Sequence, residues 1–491
     1  MTALLVIAAT FLLALGLGVR ARSGRQMNLT EWAVGGRTFG TILVFLLLAG
    51  EIYTTFTFLG ASGWAYGRGA PAFYILCYGA LAYIMSYWLA PAVWSYARQH
   101  DLVSQPDFFA HKYRSRPLGT LVAVVGVVAL IPYLVLQLKG LGIIVSEASS
   151  GIVSPTVAIW LGVIGVVVYV MISGIHASAW TAVVKDILIL GVAIFLGLYL
   201  PAKLHGGIGP MFTTINQANP GFLTLPARGQ SPSWFASTVL LTAVGFYLWP
   251  HTFGSIYSAK SPDAFRKNAV VMPLYQLVML FVFFVGFAAL LAVPGLTGTD
   301  ADLALLRVSV RTFDPWPVGV IGAAGVLTAL VPGSMILMAA GTILAKNVVL
   351  AGRPANDPAI VRLAKILVPV IALIALWFTF EGGNSIVALL LMGYSLVTQL
   401  APALLFSLLP VNPVTGPGAI AGLVAGVATV AWVTLAKTSF AALLPAAPGW
   451  VQDLNVGFAA LLVNVAVALI VSLATRQADA AKSRPGPPGR S

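Results

Sequence analysis

The sequence predicts an all-α, polytopic membrane protein with about thirteen transmembrane helices. Three observations carry that prediction. First, 59% of the 491 residues are hydrophobic and only 8% are charged, against roughly 45–50% and 25% in a soluble domain. Second, apolar stretches long enough to cross a bilayer recur along the whole chain. Third, the basic residues are sorted between alternate gaps. The same arithmetic excludes a water-soluble enzyme and a disordered chain. A single cysteine, Cys77, excludes an intrachain disulfide, and 49 Gly with 30 Pro show no collagen period.

Read in order, the spans fall at 1–19, 39–66, 71–97, 118–149, 155–173, 177–201, 234–257, 269–293, 317–345, 366–380, 383–409, 417–436 and 454–474. With the N-terminus outside, nineteen of the 27 Lys and Arg lie in cytoplasmic gaps, six lie outside and two within spans. That bias is the positive-inside rule and assigns N-out, C-in. The +13 net charge therefore reports topology in a lipid bilayer and not a nucleic-acid footprint. Span 1 lacks a basic segment before its apolar run, and Arg20, Arg22 and Arg25 follow it, so it reads as a retained helix.

Two spans differ from simple anchors. Span 2 contains Gly50-Glu51-Ile52-Tyr53-Thr54-Thr55-Phe56-Thr57, which places a carboxylate about 18 Å into a helix rising 1.5 Å per residue. A charge near the bilayer midplane is expensive and usually functional. Span 7 contains Gly245-Phe246-Tyr247-Leu248-Trp249-Pro250-His251, and its proline removes a backbone donor inside the helix. Spans 2–6 and 7–11 thus form two sets of five, each opening on an interrupted helix, and an odd number of spans gives the sets opposite orientation. Interrupted helices at matching places are the sequence pointer to a secondary transporter site.

The domain reading follows. Residues 1–38 are an extra N-terminal helix and cytoplasmic loop, and 39–201 the first repeat. An outer loop covers 202–233, and the second repeat 234–409. Two peripheral helices occupy 410–474, and 475–491 read as a disordered cytoplasmic tail.

Several runs carry a family resemblance. They are Thr57-Phe58-Leu59-Gly60-Ala61-Ser62-Gly63-Trp64-Ala65-Tyr66, Gln105-Pro106-Asp107-Phe108-Phe109, Gly174-Ile175-His176-Ala177-Ser178-Ala179-Trp180-Thr181, the span-7 run with Ala259-Lys260-Ser261, and Ala339-Ala340-Gly341-Thr342 through Lys346. Together, in register, they resemble the sodium:solute symporter family, and the stretch from Ala49 to Tyr74 is most similar to bacterial monocarboxylate permeases. The resemblance implies a LeuT-type fold, no cofactor beyond a coupling ion (H+ or Na+), and residence in the cell (inner) membrane. It implies uptake of small carboxylates such as lactate, pyruvate or alanine, with a small organic anion as the partner. A sodium-coupled carrier of an amino acid, acetate or a pantothenate-like solute is the alternative.

The family's sodium site maps onto the Gly50 and Tyr53 carbonyls and three span-9 positions, Thr328, Val331 and Pro332. Hard cations want several oxygen ligands, and Val331 and Pro332 offer no side-chain oxygen. Ala182 stands where the family commonly has Asp, and Lys185 where Gln is usual. An ammonium at Lys185 can stand in for a bound cation and carry a proton, with Glu51 or Asp186 as partner. The plainer reading has Lys185 snorkelling to the cytoplasmic interface, as Lys139 does at the outer one.

A substrate carboxylate needs donors. Thr54, Thr55 and Thr57 flank the amides that an unwound span 2 exposes. Phe246, Tyr247 and Trp249 can wall a small apolar tail, and Gln399 is a polar residue well inside span 11. One enzyme reading competes: Gly60-Ala61-Ser62-Gly63 matches the G-x-S-G of intramembrane serine proteases. A nucleophile there needs a base within hydrogen-bond reach, so that reading stands or falls on the Ser62 surroundings.

Overall fold

The computed structural model describes residues 1–22, 24 and 27–482. Among them are eleven single helices long and apolar enough to cross a membrane, and two bent pairs that complete thirteen spans. No strand occurs among the described residues; one isolated bridge joins Phe39 to Ala259. The spans are Thr2–Arg22, the pair Thr41–Ile52 with Phe56–Arg68, then Ala70–Gln99, Arg116–Ala148, Pro155–Ile172 and Gly174–His205. The second set opens on the pair Pro232–Leu248 with Pro250–Ser258 and continues with Asp263–Ala292, Pro315–Val349, Pro358–Glu381 and Ile386–Ser407. Gly416–Leu435 and Val456–Lys482 follow.

Both bends fall where the sequence placed them, and each has a local cause. Span 2 turns by 48° because Tyr53 leaves helical geometry at ψ 75°. Span 7 turns by 54°, with Trp249 extended at ψ 136° and Pro250 opening the inner half. The turn between spans 5 and 6 is a single residue. Gly174 adopts φ 55°, ψ −145°, a backbone conformation open to glycine and strained for other residues. The Trp32 carbonyl lies 2.8 Å from where its Cβ would be.

Three boundaries move. Span 10 starts at Pro358 and not at 366, because Asp357 caps it by accepting from the Ala359 N–H at 2.8 Å and proline suits the first turn. The outer loop after span 6 is partly helical over Ile208–Ala218. The last helix continues past the expected end at 474, through Thr475 to Lys482; 483–491 lie outside the described residues. A short cytoplasmic helix, Gln105–Lys112, joins spans 3 and 4. Span 9 is the axis of the bundle and is buried continuously from Ile321 to Ile343.

Candidate functional site

The two breaks meet at the centre of the bundle, and a carboxylate ties them together. Glu51, 4% exposed, ends the inner half of span 2. It accepts from the Thr252 hydroxyl at 2.5 Å and the Ser255 hydroxyl at 2.7 Å, both on the inner half of span 7. Its backbone carbonyl accepts from Tyr133 of span 4 at 3.0 Å. Thr252 and Ser255 are three residues apart on a helix and so face one partner.

Lys185 reaches the same place from span 6. It is fully buried, and its Nζ donates to the Tyr53 carbonyl at 3.2 Å and lies 2.9 Å from Asp186 Oδ1. A Cβ added to Gly50 would stand 2.9 Å from that Nζ. The ammonium therefore sits against the two residues whose carbonyls were expected to hold a metal cation. Asp186 accepts no hydrogen bond of good geometry among the described residues; its contact with Lys185 is electrostatic. The Thr328 hydroxyl donates to the Gly325 carbonyl of its own helix at 2.6 Å, which leaves its oxygen able to accept or to ligate a cation.

The threonines of the break are brought together, and they occupy its amides themselves. The Thr54 N–H donates to Thr57 Oγ1 at 2.9 Å, and the Phe56 N–H to Thr54 Oγ1 at 3.1 Å. Thr55 gives both its hydroxyl (2.6 Å) and its N–H (3.4 Å) to Gln137 Oε1 of span 4. A backbone N–H can only donate, which fixes the Gln137 carboxamide with its oxygen toward Thr55. Its Nε2 is left buried without a partner among the described residues.

The aromatic wall is present as well. Trp249 packs on Tyr133 (4.9 Å between ring centroids) and Tyr394 (5.2 Å). Phe246 meets Tyr83 at 5.6 Å and Tyr247 at 4.9 Å. His251, one residue past Pro250, is buried with neither ring nitrogen hydrogen-bonded among the described residues.

Gln399 does not join this group. Its amide donates to the Ser395 and Gly457 carbonyls, each at 3.0 Å, and its oxygen accepts from Asn464 of span 13 at 3.2 Å. It braces span 11 against the peripheral helices. Ser62 is no nucleophile in this arrangement, because its hydroxyl donates to the Phe58 and Leu59 carbonyls. Gln137 and Tyr133 were passed over in the sequence. The available signal was a lone amide in an otherwise apolar run of span 4, which in a bilayer needs a reason.

Above the site lies an outer cavity of about 490 Å³, lined in part by Trp64, Arg68, Thr297, Asp302 and Asn384. Lys139 does not snorkel freely there. Its Nζ donates to Asp302 at 3.1 Å and to the Asn384 carbonyl at 2.9 Å, and Asp302 also accepts from the Ile386 N–H at 3.0 Å. Burial pushes the Asp302 carboxyl above its ordinary range, and the Lys139 ammonium opposes that.

Lys139→Met leaves this carboxylate buried and unpaired, with an expected cost of about 3–5 kcal/mol at neutral pH. The sign with pH follows from burial. A carboxyl whose folded pKa is raised favours folding while protonated and loses that contribution as pH rises through the raised value. The deficit, read as the thermal midpoint of purified protein, therefore shrinks as pH falls toward about 4. A deficit unchanged across pH would contradict the pairing.

The sodium:solute symporter family profile matches residues 32–426. The chain belongs to the sodium:solute symporter family. It is a cation-coupled symporter and a multi-pass membrane protein, not an enzyme. It is 64% identical over 481 residues to an uncharacterized symporter, YhjB, of Bacillus subtilis (strain 168), covering 98% of each chain. It is 29% identical over 496 residues to a monocarboxylate transport permease protein of Rhizobium johnstonii, covering 96% of each. Among solved structures, a substrate-bound, outward-open Na+-coupled sialic acid symporter matches with TM-score 0.76 at 16% identity, covering 97% of this symporter and 98% of that chain. That likeness establishes the LeuT-type fold.

Proposed function

We propose that this symporter takes up small monocarboxylates across the cell (inner) membrane and couples that uptake to protons. The observation that carries the reading is the Lys185 ammonium on the Tyr53 carbonyl beside Gly50. A fixed cation there supplies the charge that a mobile sodium ion would bring, and Val331 and Pro332 leave span 9 without two hydroxyl ligands.

Charge counting supports the same reading. Two buried carboxyls, Glu51 and Asp186, lie within electrostatic reach of one ammonium. In a low-dielectric centre, an uncompensated charge costs several kcal/mol. One proton shared between the carboxyls neutralises the set, and its gain and loss gives the site two charge states.

Two observations support the substrate class. A relative at 29% identity is named a monocarboxylate permease. Beside the threonines, Gln137 Nε2 is a buried donor with no acceptor among the described residues, suited to a carboxylate oxygen. Once substrate enters, Thr54, Thr55 and Thr57 add hydroxyl donors, and Trp249 with Phe246 and Tyr247 encloses the short apolar tail.

The test is uptake of labelled lactate, pyruvate and alanine into proteoliposomes, with labelled proline and pantothenate as comparison. Saturable uptake of lactate or pyruvate is expected. Uptake confined to proline or pantothenate, which name relatives at 23% identity, would replace the monocarboxylate reading.

A further inference from the structure

The family resemblance assigns no role to the run Gln105-Pro106-Asp107, and the substrate site does not use it. It starts the short cytoplasmic helix between spans 3 and 4. Gln105 is fully buried, and its Nε2 donates to the Leu248 carbonyl at 2.5 Å. That carbonyl belongs to the break in span 7. The first backbone bond of the inner half, from the Phe253 N–H to the Trp249 carbonyl (3.3 Å), begins one residue later. A carbonyl freed by a break needs a donor inside a bilayer, and Gln105 provides it from outside the helix. Span 4 makes room at Gly126, where an added Cβ would stand 3.0 Å from Pro250 and 3.5 Å from Gln105 Oε1.

Asp107 divides its two oxygens. Oδ2 accepts from the Ser104 N–H at 3.1 Å and the Val103 N–H at 3.3 Å, closing the cap of its own helix. Oδ1 accepts from Asn347 at 2.8 Å and from Lys346, both at the cytoplasmic end of span 9. Ser104 adds a bond to Asn347 at 2.9 Å. One short helix thus holds the span-7 break at its first residue and the end of span 9 at its third.

The inner halves of spans 2 and 7 are joined to each other at both ends. At the centre Glu51 holds Thr252 and Ser255. At the cytoplasmic end the Phe39 N–H donates to the Ser258 carbonyl at 3.0 Å and the Lys260 N–H to the Phe39 carbonyl at 2.8 Å. Two half-helices tied this way move as one body. To open a path to the cytoplasm, that body must part from spans 4 and 9.

We propose that Gln105-Pro106-Asp107 is the clamp of the cytoplasmic gate. Gln105 holds the paired inner half-helices closed through the Leu248 carbonyl, and Asp107 fastens the clamp to span 9. Gln105 is a positioning residue: it touches neither substrate nor coupling ion, and it biases which side of the membrane the site faces.

The test needs no knowledge of the substrate. In a Cys77→Ala background, Ser258→Cys reports access from the cytoplasm and Ala388→Cys reports access from the outer cavity, each read with an impermeant maleimide. Gln105→Met keeps size and removes the donor. It should speed cytoplasmic labelling about fivefold, the population shift expected for one lost buried hydrogen bond, and slow outer labelling. Asp107→Asn keeps an oxygen for the helix cap but turns a nitrogen toward Lys346, and should shift both rates in the same directions. The double variant should add little to either, because both act through one clamp. Unchanged rates in Gln105→Met and Asp107→Asn overturn the proposal. So does faster labelling from both sides, which reports a loosened fold rather than a released gate.

Discussion

Replacing Lys185 with Gln is expected to abolish accumulation of substrate while sparing its downhill exchange. A proton-coupled carrier with one proton per substrate sustains about a tenfold gradient for each pH unit imposed; the variant should hold no gradient. The reason is geometric. Lys185 Nζ is the cation that reaches the Tyr53 carbonyl and Asp186 together, and a carboxamide carries no charge to offset the buried carboxyls. Removing it leaves Asp186 buried without its ion pair, so Lys185→Gln combined with Asp186→Asn separates lost coupling from lost stability. The pair should express normally and still fail to accumulate. Glu51→Gln should behave alike, since it removes one of the two carboxyls that share the proton while an amide still bonds Thr252 and Ser255. Counterflow of labelled against unlabelled substrate checks that binding and exchange survive. Wild-type accumulation in Lys185→Gln would remove this residue from the coupling.

A second large effect is expected at Gln137. Its oxygen organises Thr55 and its nitrogen has no partner among the described residues. Gln137→Glu keeps the acceptor for Thr55 and replaces the donor with a charge that repels a carboxylate. The apparent KM for lactate or pyruvate should rise by about tenfold to a hundredfold, as expected for roughly 1–3 kcal/mol of lost pairing to a buried polar group. Thr55→Val should raise KM severalfold for the same reason, because it releases the carboxamide from its fixed orientation. Thr54→Val should do so through the Phe56 N–H that its hydroxyl holds at 3.1 Å. KM unchanged in all three, at normal expression, would move the carboxylate away from this break.

The fold was legible because a bilayer imposes a severe pattern. Each span needs a long apolar run, and proline or glycine at depth leaves few reasons for being there. Trp249-Pro250 marks a break for that reason and appears where expected, and the short gap expected between spans 5 and 6 falls on Gly174. Charges near helix ends misled the reading of span 10, since Arg362 and Lys365 ride on its first turns behind the Asp357 cap.

The site was legible by depth and illegible by face. Glu51 and Lys185 stood out because ionised side chains are rare in a membrane interior, and the two do converge on the span-2 break. Gln399 looked equivalent by the same rule. It faces Asn464 of span 13, and nothing local to span 11 tells which neighbour a helix face will meet. Gln137 was missed for the converse reason. An uncharged amide in span 4 gives a weak signal until Thr55 is seen against it, 82 residues away in sequence.

The central claim is that a fixed ammonium has taken the place of a coupling sodium ion. It is tested most directly by measuring accumulation of labelled lactate and pyruvate in proteoliposomes with the two gradients imposed separately. Accumulation that follows an inward pH gradient, collapses with a protonophore and ignores replacement of sodium by choline is the predicted result. Accumulation that tracks an imposed sodium gradient at fixed pH would contradict it, and would return the Gly50 and Tyr53 carbonyls to a sodium site from which Lys185 withdraws.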